Sequence, residues 1–301
     1  MGIIKSFTVG KGDIFYIKHN RSNYTTIDCF LSNENIDGVM NEISNKARSQ
    51  SITRPISTHP NDGYVYGLEY PEKKVVIANF YCSVDETTQK GQKDSLHKYC
   101  DLKDSSKEFY LYGACFCKWI REEVEKEEGN FTSREGVTVL WQDTDNEHFE
   151  NTYEEPINGE SQDRISPIIR CGFENGMTMV FWSDFESHLM GDILEEVDFK
   201  KINVLFVSHH KSKSGRLPDE WLEAMDPDIV IIGGTPYENL DYINYDGHNK
   251  ITQNSAGDIF LDCSEGKVDI YVSNPTYNVT YLKNNYESNR YGCYYIGTLE
   301  V

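Results

Sequence analysis

Two short apolar runs, Ile202–Val207 and Asp228–Ile232, constrain the fold more than any other feature of this chain. Each is too short for a stable helix and carries no polar alternation, which is the pattern of a strand buried on both faces. Such strands need a covering layer on either side, so the chain is expected to be an α/β protein. The first run breaks at once into Ser208-His209-His210 and the second into Gly233-Gly234. Between them, Pro218–Met225 reads as a short helix.

The rest of the chain repeats this strand-then-turn logic. Ile3–Val9 and Ile14–Lys18 flank the hairpin turn Gly10-Lys11-Gly12-Asp13, and Tyr24–Asp28 adds a third strand to a meander. Apolar positions Ile36, Val39, Met40 and Ile43 predict a helix within 33–48, with Ser32 or Asn33 as its N-cap. Arg54–Thr58 returns to the sheet, and Val75–Phe80 reads as the next parallel strand. From 85 to 136 a charged, aromatic insertion shows helical spacing in Ser95–Lys103 and across Tyr110–Glu127. No Pro/Gly/Ser-rich linker flanks it, so one domain is expected over 1–301.

Val137–Trp141 resumes the sheet, and a long acidic loop follows over 144–163. Ile165–Phe173 and Met177–Trp182 form a hairpin around Glu174-Asn175-Gly176, after which Phe185–Val197 is helical in spacing. The stretch 233–254 reads as loop. Ile259–Cys263 and Val268–Val272 make a closing hairpin, and the Tyr/Asn-rich end is expected to pack back as an edge segment.

The 301 residues carry 49 acidic against 29 basic side chains, a net charge of −20. That balance repels nucleic acid at long range, so any nucleic-acid site must be local. The eight cysteines lack zinc-knuckle spacing and read as reduced, buried thiols of a cytosolic protein. The close pair Cys115 and Cys117 lies in a helix-like stretch, where packing is expected rather than redox or metal work. No signal-peptide h-region and no membrane-length apolar run is present, and Met1–Ser6 fits the myristoylation pattern only by coincidence with a strand.

Three strands end in groups able to bind metal. His59 and Asp62 flank the turn-forming Pro60-Asn61 after the strand at 54–58, Asp184 follows Trp182-Ser183, and His209-His210 follow Ile202–Val207. Strand ends are where α/β folds gather catalytic residues on a rigid scaffold. Imidazole with carboxylate suits zinc, manganese or iron, any of which turns a bound water into hydroxide near neutral pH. Each group also has a plainer reading: a strand-capping His59, Asp184 as a helix N-cap, and His209-His210 as a polar turn.

The stretches FTVGKGDIFYI, TTIDC, STHPNDGYVYGLEY, MVFWSDFE, NVLFVSHHKSKSG and DIVIIGG with GDIFLDCSEGKVDIYV resemble the metallo-β-lactamase fold. Within it they are similar to the soluble hydrolase domain of ComEC-type DNA-uptake channels and its free-standing relatives. The resemblance covers most of Ile3 to Val272. It implies a four-layer αββα sandwich with a helical insertion and a site along one edge of the two sheets. His248, in Tyr245-Asp246-Gly247-His248, falls where relatives carry a second-shell or substrate-side histidine; an exposed loop residue is the alternative.

Departures from the family pattern bear on activity. Laid on 59–64, the His-x-His/Asp-x-Asp-His motif keeps His59 but puts Asn61, Gly63 and Tyr64 at the other ligand positions, and Asp62 sits one place early. Ser183-Asp184 keeps the bridging carboxylate, and His209-His210-Lys211-Ser212 keeps both histidines but has Lys211 where glycine is usual. The expectation is one divalent ion held by His59, Asp184 and His209 or His210, with Asp62, or none. Lys211 disfavours a metal and favours a phosphate-containing ligand, or stabilises a developing phosphorane if the site is active.

Two functions therefore stand side by side. One is a degenerate metallohydrolase homologue acting as a binding or regulatory subunit, with an ATPase or nuclease partner of the same bacterial anti-phage system, as the resemblance implies. The other is an active single-metal phosphodiesterase or nuclease using His59, Asp184 and Lys211. A scaffold presenting the aromatic insertion as a protein interface is the third reading. A β-lactamase role is not expected, since no secretion signal is present.

Overall fold

The computed structural model describes residues 2–10, 12–19, 24–31, 34–46, 54–58, 60, 65–70, 77, 79–83, 94–105, 108–111, 116–117, 136–141, 166–173, 176–183, 190–191, 193–194, 197, 199, 201–208, 217–234, 245–263 and 266–301. In chain order the strands are β1 Gly2–Ser6, β2 Phe15–Lys18, β3 Tyr24–Ile27, β4 Arg54–Ser57, β5 Phe80–Ser83, β6 Glu108–Leu111, β7 Phe116–Cys117 and β8 Gly136–Trp141. They continue as β9 Ile168–Gly172, β10 Thr178–Trp182, β11 Val204–Val207, β12 Ile229–Ile232, β13 Lys250–Thr252, β14 Ile259–Cys263, β15 Lys267–Val272 and β16 Tyr294–Glu300. The helices are α1 Ile36–Lys46, α2 Asp94–Lys103, α3 Asp219–Met225 and α4 Gln253–Ala256.

The strands form two sheets. The first runs β16-β15-β14-β1-β2-β3-β4-β5-β6 and the second β13-β12-β11-β10-β9-β8-β7. From β3 to β6 the first sheet is parallel, as is the second from β10 to β13. Every residue of β11 and β12 is buried, as the unbroken apolar runs require.

Between the sheets, Phe15 packs edge-on against Phe181 and Phe206, with ring centroids 4.8 and 4.3 Å apart. Such aromatic contacts add specific geometry to plain area burial. Outside the first sheet, Met40 and Ile43 of α1 and Tyr99 and Leu102 of α2 cover Tyr16, Tyr24 and Phe80. Outside the second, Trp221, Leu222 and Met225 of α3 cover Trp182 and Leu205. Helix, sheet, sheet, helix is the resulting layering. Lys5 of β1 is buried with its Nζ 2.6 Å from Glu42 Oε2 and 3.1 Å from Asp258 Oδ2, which fixes α1 against the sheet.

Several expectations change. Of the strand expected at Val75–Phe80, Phe80 opens β5, whose Tyr81 and Cys82 pair with Ile56 and Ser57, while Val75, Val76 and Ala78 lie outside the described residues. In the insertion, Ser95–Lys103 is helical as expected, in α2. Of the helix expected across Tyr110–Glu127, the described residues are strand instead: Glu108–Leu111 extends the parallel ladder from β5 and Phe116–Cys117 pairs with β8, while 112–115 and 118–127 lie outside the described residues. Cys117 thus lies in a strand, and Cys115 lies outside the described residues. Within 233–254, expected as loop, β13 joins β12 in parallel and leads into α4. Three residues are too few to show periodicity.

The Tyr/Asn-rich end packs back as expected. β16 is the outer strand of the first sheet, and Tyr277, Val279, Tyr281 and Leu282 pack against the core between the sheets. Among the described residues, no helix is long and apolar enough to cross a membrane.

Candidate functional site

The site region is built at the end of β3. Asp28 is buried and left-handed, with φ 56°, a conformation that Asp tolerates better than most residues. Its N–H donates to Ile56 O at 2.8 Å. Its carboxylate accepts from the Thr58 N–H at 2.8 Å and from Thr58 Oγ1, which is 3.0 Å from both oxygens. Hydrogen bonds to an ionised acceptor are among the stronger ones a protein makes. Thr58, 1% exposed, is the first residue beyond β4, and its carbonyl accepts from Ser83 Oγ at the end of β5.

Thr58 also crosses to the other sheet. Ser183 Oγ donates to Thr58 Oγ1 at 3.1 Å, joining the end of β4 to the end of β10. Ser208, just beyond β11, donates its N–H to Trp182 O at 2.9 Å. Thr58, Ser183 and Ser208 are the residues directly before His59, Asp184 and His209 in the chain.

A second group of bonds closes the same edge further along. Gly233 N–H donates to Val207 O at 2.9 Å and Gly234 N–H to Gln253 Oε1 at 2.7 Å. The Gln253 amide, 1% exposed, reaches back to Ser6 Oγ and to Phe7 O at the end of β1. A Cβ on Gly234 would stand 2.9 Å from Gly10 O, so glycine is required where this turn meets the hairpin turn between β1 and β2. Buried Asp13 lies against Gly233 from that turn. The C-terminal ends of β1, β3, β4 and β5 thus meet those of β10 to β13 along one edge of the sandwich.

Seven candidate residues named from sequence, His59, Asn61, Asp62, Asp184, His209, His210 and Lys211, lie outside the described residues. So do Ser32 and Asn33, expected to cap α1. The eighth candidate, His248, is described. It ends the turn 245–248, with its N–H on Tyr245 O at 3.3 Å. The following Asn249 donates its amide to Asp228 O, and Lys250 pairs with Val230. His248 therefore stands by the N-terminal ends of β12 and β13, the end of the second sheet away from Ser183 and Ser208. The structure does not bring it to the edge where the other strands terminate.

Among the described residues, no group of three or more His, Cys, Asp or Glu side chains could hold a metal ion. Cys29, Cys82, Cys171 and Cys263 are buried, and burial pushes the thiols of Cys29, Cys171 and Cys263 far above their ordinary range. These thiols are packing groups rather than nucleophiles. Sequence reasoning did not single out Asp28, Thr58 or Gln253 as functional positions. The available signal was a carboxylate closing a β-branched strand, as in Thr25-Thr26-Ile27-Asp28, since a buried carboxylate must find donors.

By sequence, no protein-family profile and no curated protein matches the chain. By structure, it is similar to a mutant of the beta-hydroxylase CmlA of Streptomyces venezuelae, with TM-score 0.51 and 10% identity, covering 86% of this chain. The match spans 53% of CmlA, so this chain accounts for about half of that protein's length. Igni18, a metallo hydrolase from the archaeon Ignicoccus hospitalis, gives 0.47 at 10% identity over 86% of this chain and 99% of its own. Zn(2+)-bound PqqB from Methylobacterium extorquens gives 0.44 at 8% identity over 87% and 100%. At such identities a likeness concerns the fold alone, and the two scores under 0.5 add nothing to it. The architecture is the α/β sandwich of the metallo-β-lactamase type.

Proposed function

We propose that the chain is a degenerate hydrolase homologue of the metallo-β-lactamase fold, similar in kind to free-standing ComEC-type domains, whose metal site is reduced to one ion or lost. It works as a binding or regulatory subunit beside an ATPase or nuclease of a bacterial anti-phage system. The observation that carries this reading is the mismatch between an intact frame and a depleted ligand set. Asp28, Thr58 and Ser183 tie the ends of β3, β4 and β10 together, yet the sequence after Thr58 offers Asn61, Gly63 and Tyr64 at three of four ligand positions. Losing a charged or imidazole donor at each removes the strongest bonds to a second ion.

The same frame favours one alternative, a single-metal phosphodiesterase or nuclease. His59, Asp184 and His209 or His210 would hold zinc, manganese or iron, which supplies hydroxide at neutral pH, and Lys211 would meet the phosphate charge.

Elemental mass spectrometry on protein purified without chelator or added metal, as wild type and Asp184→Ala, separates the two. Metal-free wild type that stays folded, gains no thermal stability from added ions and captures the same partner as Asp184→Ala supports the subunit. Near-stoichiometric metal that disappears in Asp184→Ala, together with phosphodiester cleavage, overturns it in favour of the enzyme.

A further inference from the structure

α4 is a single turn, Gln253–Ala256, and its N-cap Thr252 makes no side-chain cap bond. A helix that short has almost no stability of its own, so its place depends on what grips it from outside. Two sides grip it. Toward the sandwich edge, Gln253 Oε1 accepts the Gly234 N–H at 2.7 Å, and the Gln253 amide donates to Ser6 Oγ and Phe7 O. Toward the C-terminal segment, the last carbonyls of α4, which a helix cannot pair internally, are taken by one residue. Asn274 donates its N–H to Ala256 O at 3.0 Å and its side-chain amide to Ser255 O at 2.8 Å. Ser273 exchanges two further bonds with Asp258: its N–H donates to Asp258 O at 2.9 Å, and its Oγ accepts the Asp258 N–H at 2.8 Å. Gly257 lies between with φ +76°, and a Cβ there would collide with Ser273 Oγ.

We propose that α4 is a coupling element through which the start of the C-terminal segment, Ser273-Asn274, holds the turn Gly233-Gly234 closed at the candidate edge. The contacts run from Asn274 to Ser255 and Ala256, along the one turn of α4 to Gln253, and from its side chain to Gly234. Gly233 in turn donates to Val207 O at the end of β11. Releasing either grip frees α4 and weakens the other, because coupling between two sites is reciprocal. The two states are a seated α4 and a locally opened one, of the kind that amide exchange detects below the cost of global unfolding. The inference concerns order at the edge, so it stands whether or not the edge binds a metal.

Amide exchange followed by nuclear magnetic resonance on the full chain tests this, in wild type, Asn274→Asp and Gln253→Ala. Asn274→Asp removes the donor to Ser255 O and keeps the Oδ1 that accepts from the Thr276 N–H and Oγ1. Any loss of global stability speeds the amides of β10 and β11 by one shared factor, and coupling is read as the excess over it. In Asn274→Asp the Gly234 amide should exchange about three- to tenfold faster than that factor requires, the effect of one net hydrogen bond. In Gln253→Ala the Asn274 amide should show a like excess. A Gly234 amide that only follows the shared factor in Asn274→Asp overturns the proposal, and so does an Asn274 amide that only follows it in Gln253→Ala. Should Gln253→Ala fail to fold, Asn274→Asp decides alone.

Discussion

Ser183 Oγ lies 3.1 Å from Thr58 Oγ1, so one hydrogen bond joins strand ends that are 125 residues apart in sequence and belong to different sheets. Thr58 donates to Asp28 and accepts from Ser183, using both capacities of one hydroxyl. Replacing it by valine keeps the shape but leaves a buried carboxylate short of a donor and a buried Ser183 hydroxyl without its acceptor. Thr58→Val should lose about 1–3 kcal/mol, read as a lowered urea midpoint with unchanged slope. Thr58→Ser should keep most of that stability. Equal midpoints for the two variants would mean the hydroxyl is not what joins the edges.

Much of this frame is legible in the sequence, and the reason is physical. Strands such as β11 and β12, which lie within the apolar runs 202–207 and 228–232, are buried at every residue and announce themselves in any context. β6, β7 and β13 are short, and their assignment depends on which strand lies alongside; Phe116-Cys117 becomes a strand only because Val137 and Thr138 are there to pair with it. At the site, the resemblance pointed to His59, Asp184 and His209-His210, which lie outside the described residues, whereas the residues that hold the strand ends are bland ones. Thr58 and Gln253 owe their importance to partners far away in sequence, and no local pattern records such partners. His248 shows the converse: a histidine in a motif-like setting that the topology puts at the other end of its sheet.

His19 gives the chain an acid-sensitive element. Its ring is buried between Phe173, stacked at 5.7 Å, and Thr25 Oγ1, 3.2 Å from Nε2. Burial above all, and then the nearby Arg54 charge, hold its pKa down at about 3. The unfolded chain binds a proton here below about pH 6.5 and the folded chain does not until about pH 3. Unfolding therefore takes up a proton across that window, and stability falls as pH falls through it. At pH 5 the loss relative to pH 8 is about 2 kcal/mol from this residue. His19→Phe should flatten the dependence of unfolding free energy on pH between 7 and 4; an unchanged slope would remove His19 as its source.

Two glycines should respond in opposite directions to alanine. Gly67 has φ +91°, and a Cβ there would stand 2.6 Å from Leu31 Cβ and 2.8 Å from its carbonyl oxygen. The neighbouring Tyr66 O accepts the Leu31 N–H at 2.7 Å, and the Gly67 N–H donates to Ser95 Oγ, so the segment cannot move aside freely. Gly67→Ala should destabilise by at least about 1–3 kcal/mol. Gly38, inside α1, has open space around its Cβ position. Gly38→Ala should stabilise by about 0.5–1 kcal/mol through the unfolded chain's lost freedom. Thermal melts of the pair check both signs.

The C-terminal segment should prove part of the folding unit rather than an appendage. Tyr281 OH donates to Lys250 O on the second sheet at 2.8 Å, and two residues later Lys283 exchanges backbone bonds with Thr298 on β16 of the first. Ile296 enters the core between the sheets, while Tyr291 stacks on Phe260 at 3.9 Å and donates to buried Asp262 Oδ2 at 2.7 Å. The segment therefore closes the open side of the sandwich where β13 and β15 would otherwise be free edges, which invite aggregation. A chain ending at Ser273 should lose near-ultraviolet circular dichroism and its cooperative urea transition. Tyr291→Phe tests the same closure by one atom: it leaves the stack in place and strips Asp262 Oδ2 of its hydroxyl donor. That change should cost about 1–3 kcal/mol and speed amide exchange in β14 and β16. A truncated chain that still unfolds cooperatively, with Tyr291→Phe as stable as wild type, would make the segment a dispensable cover.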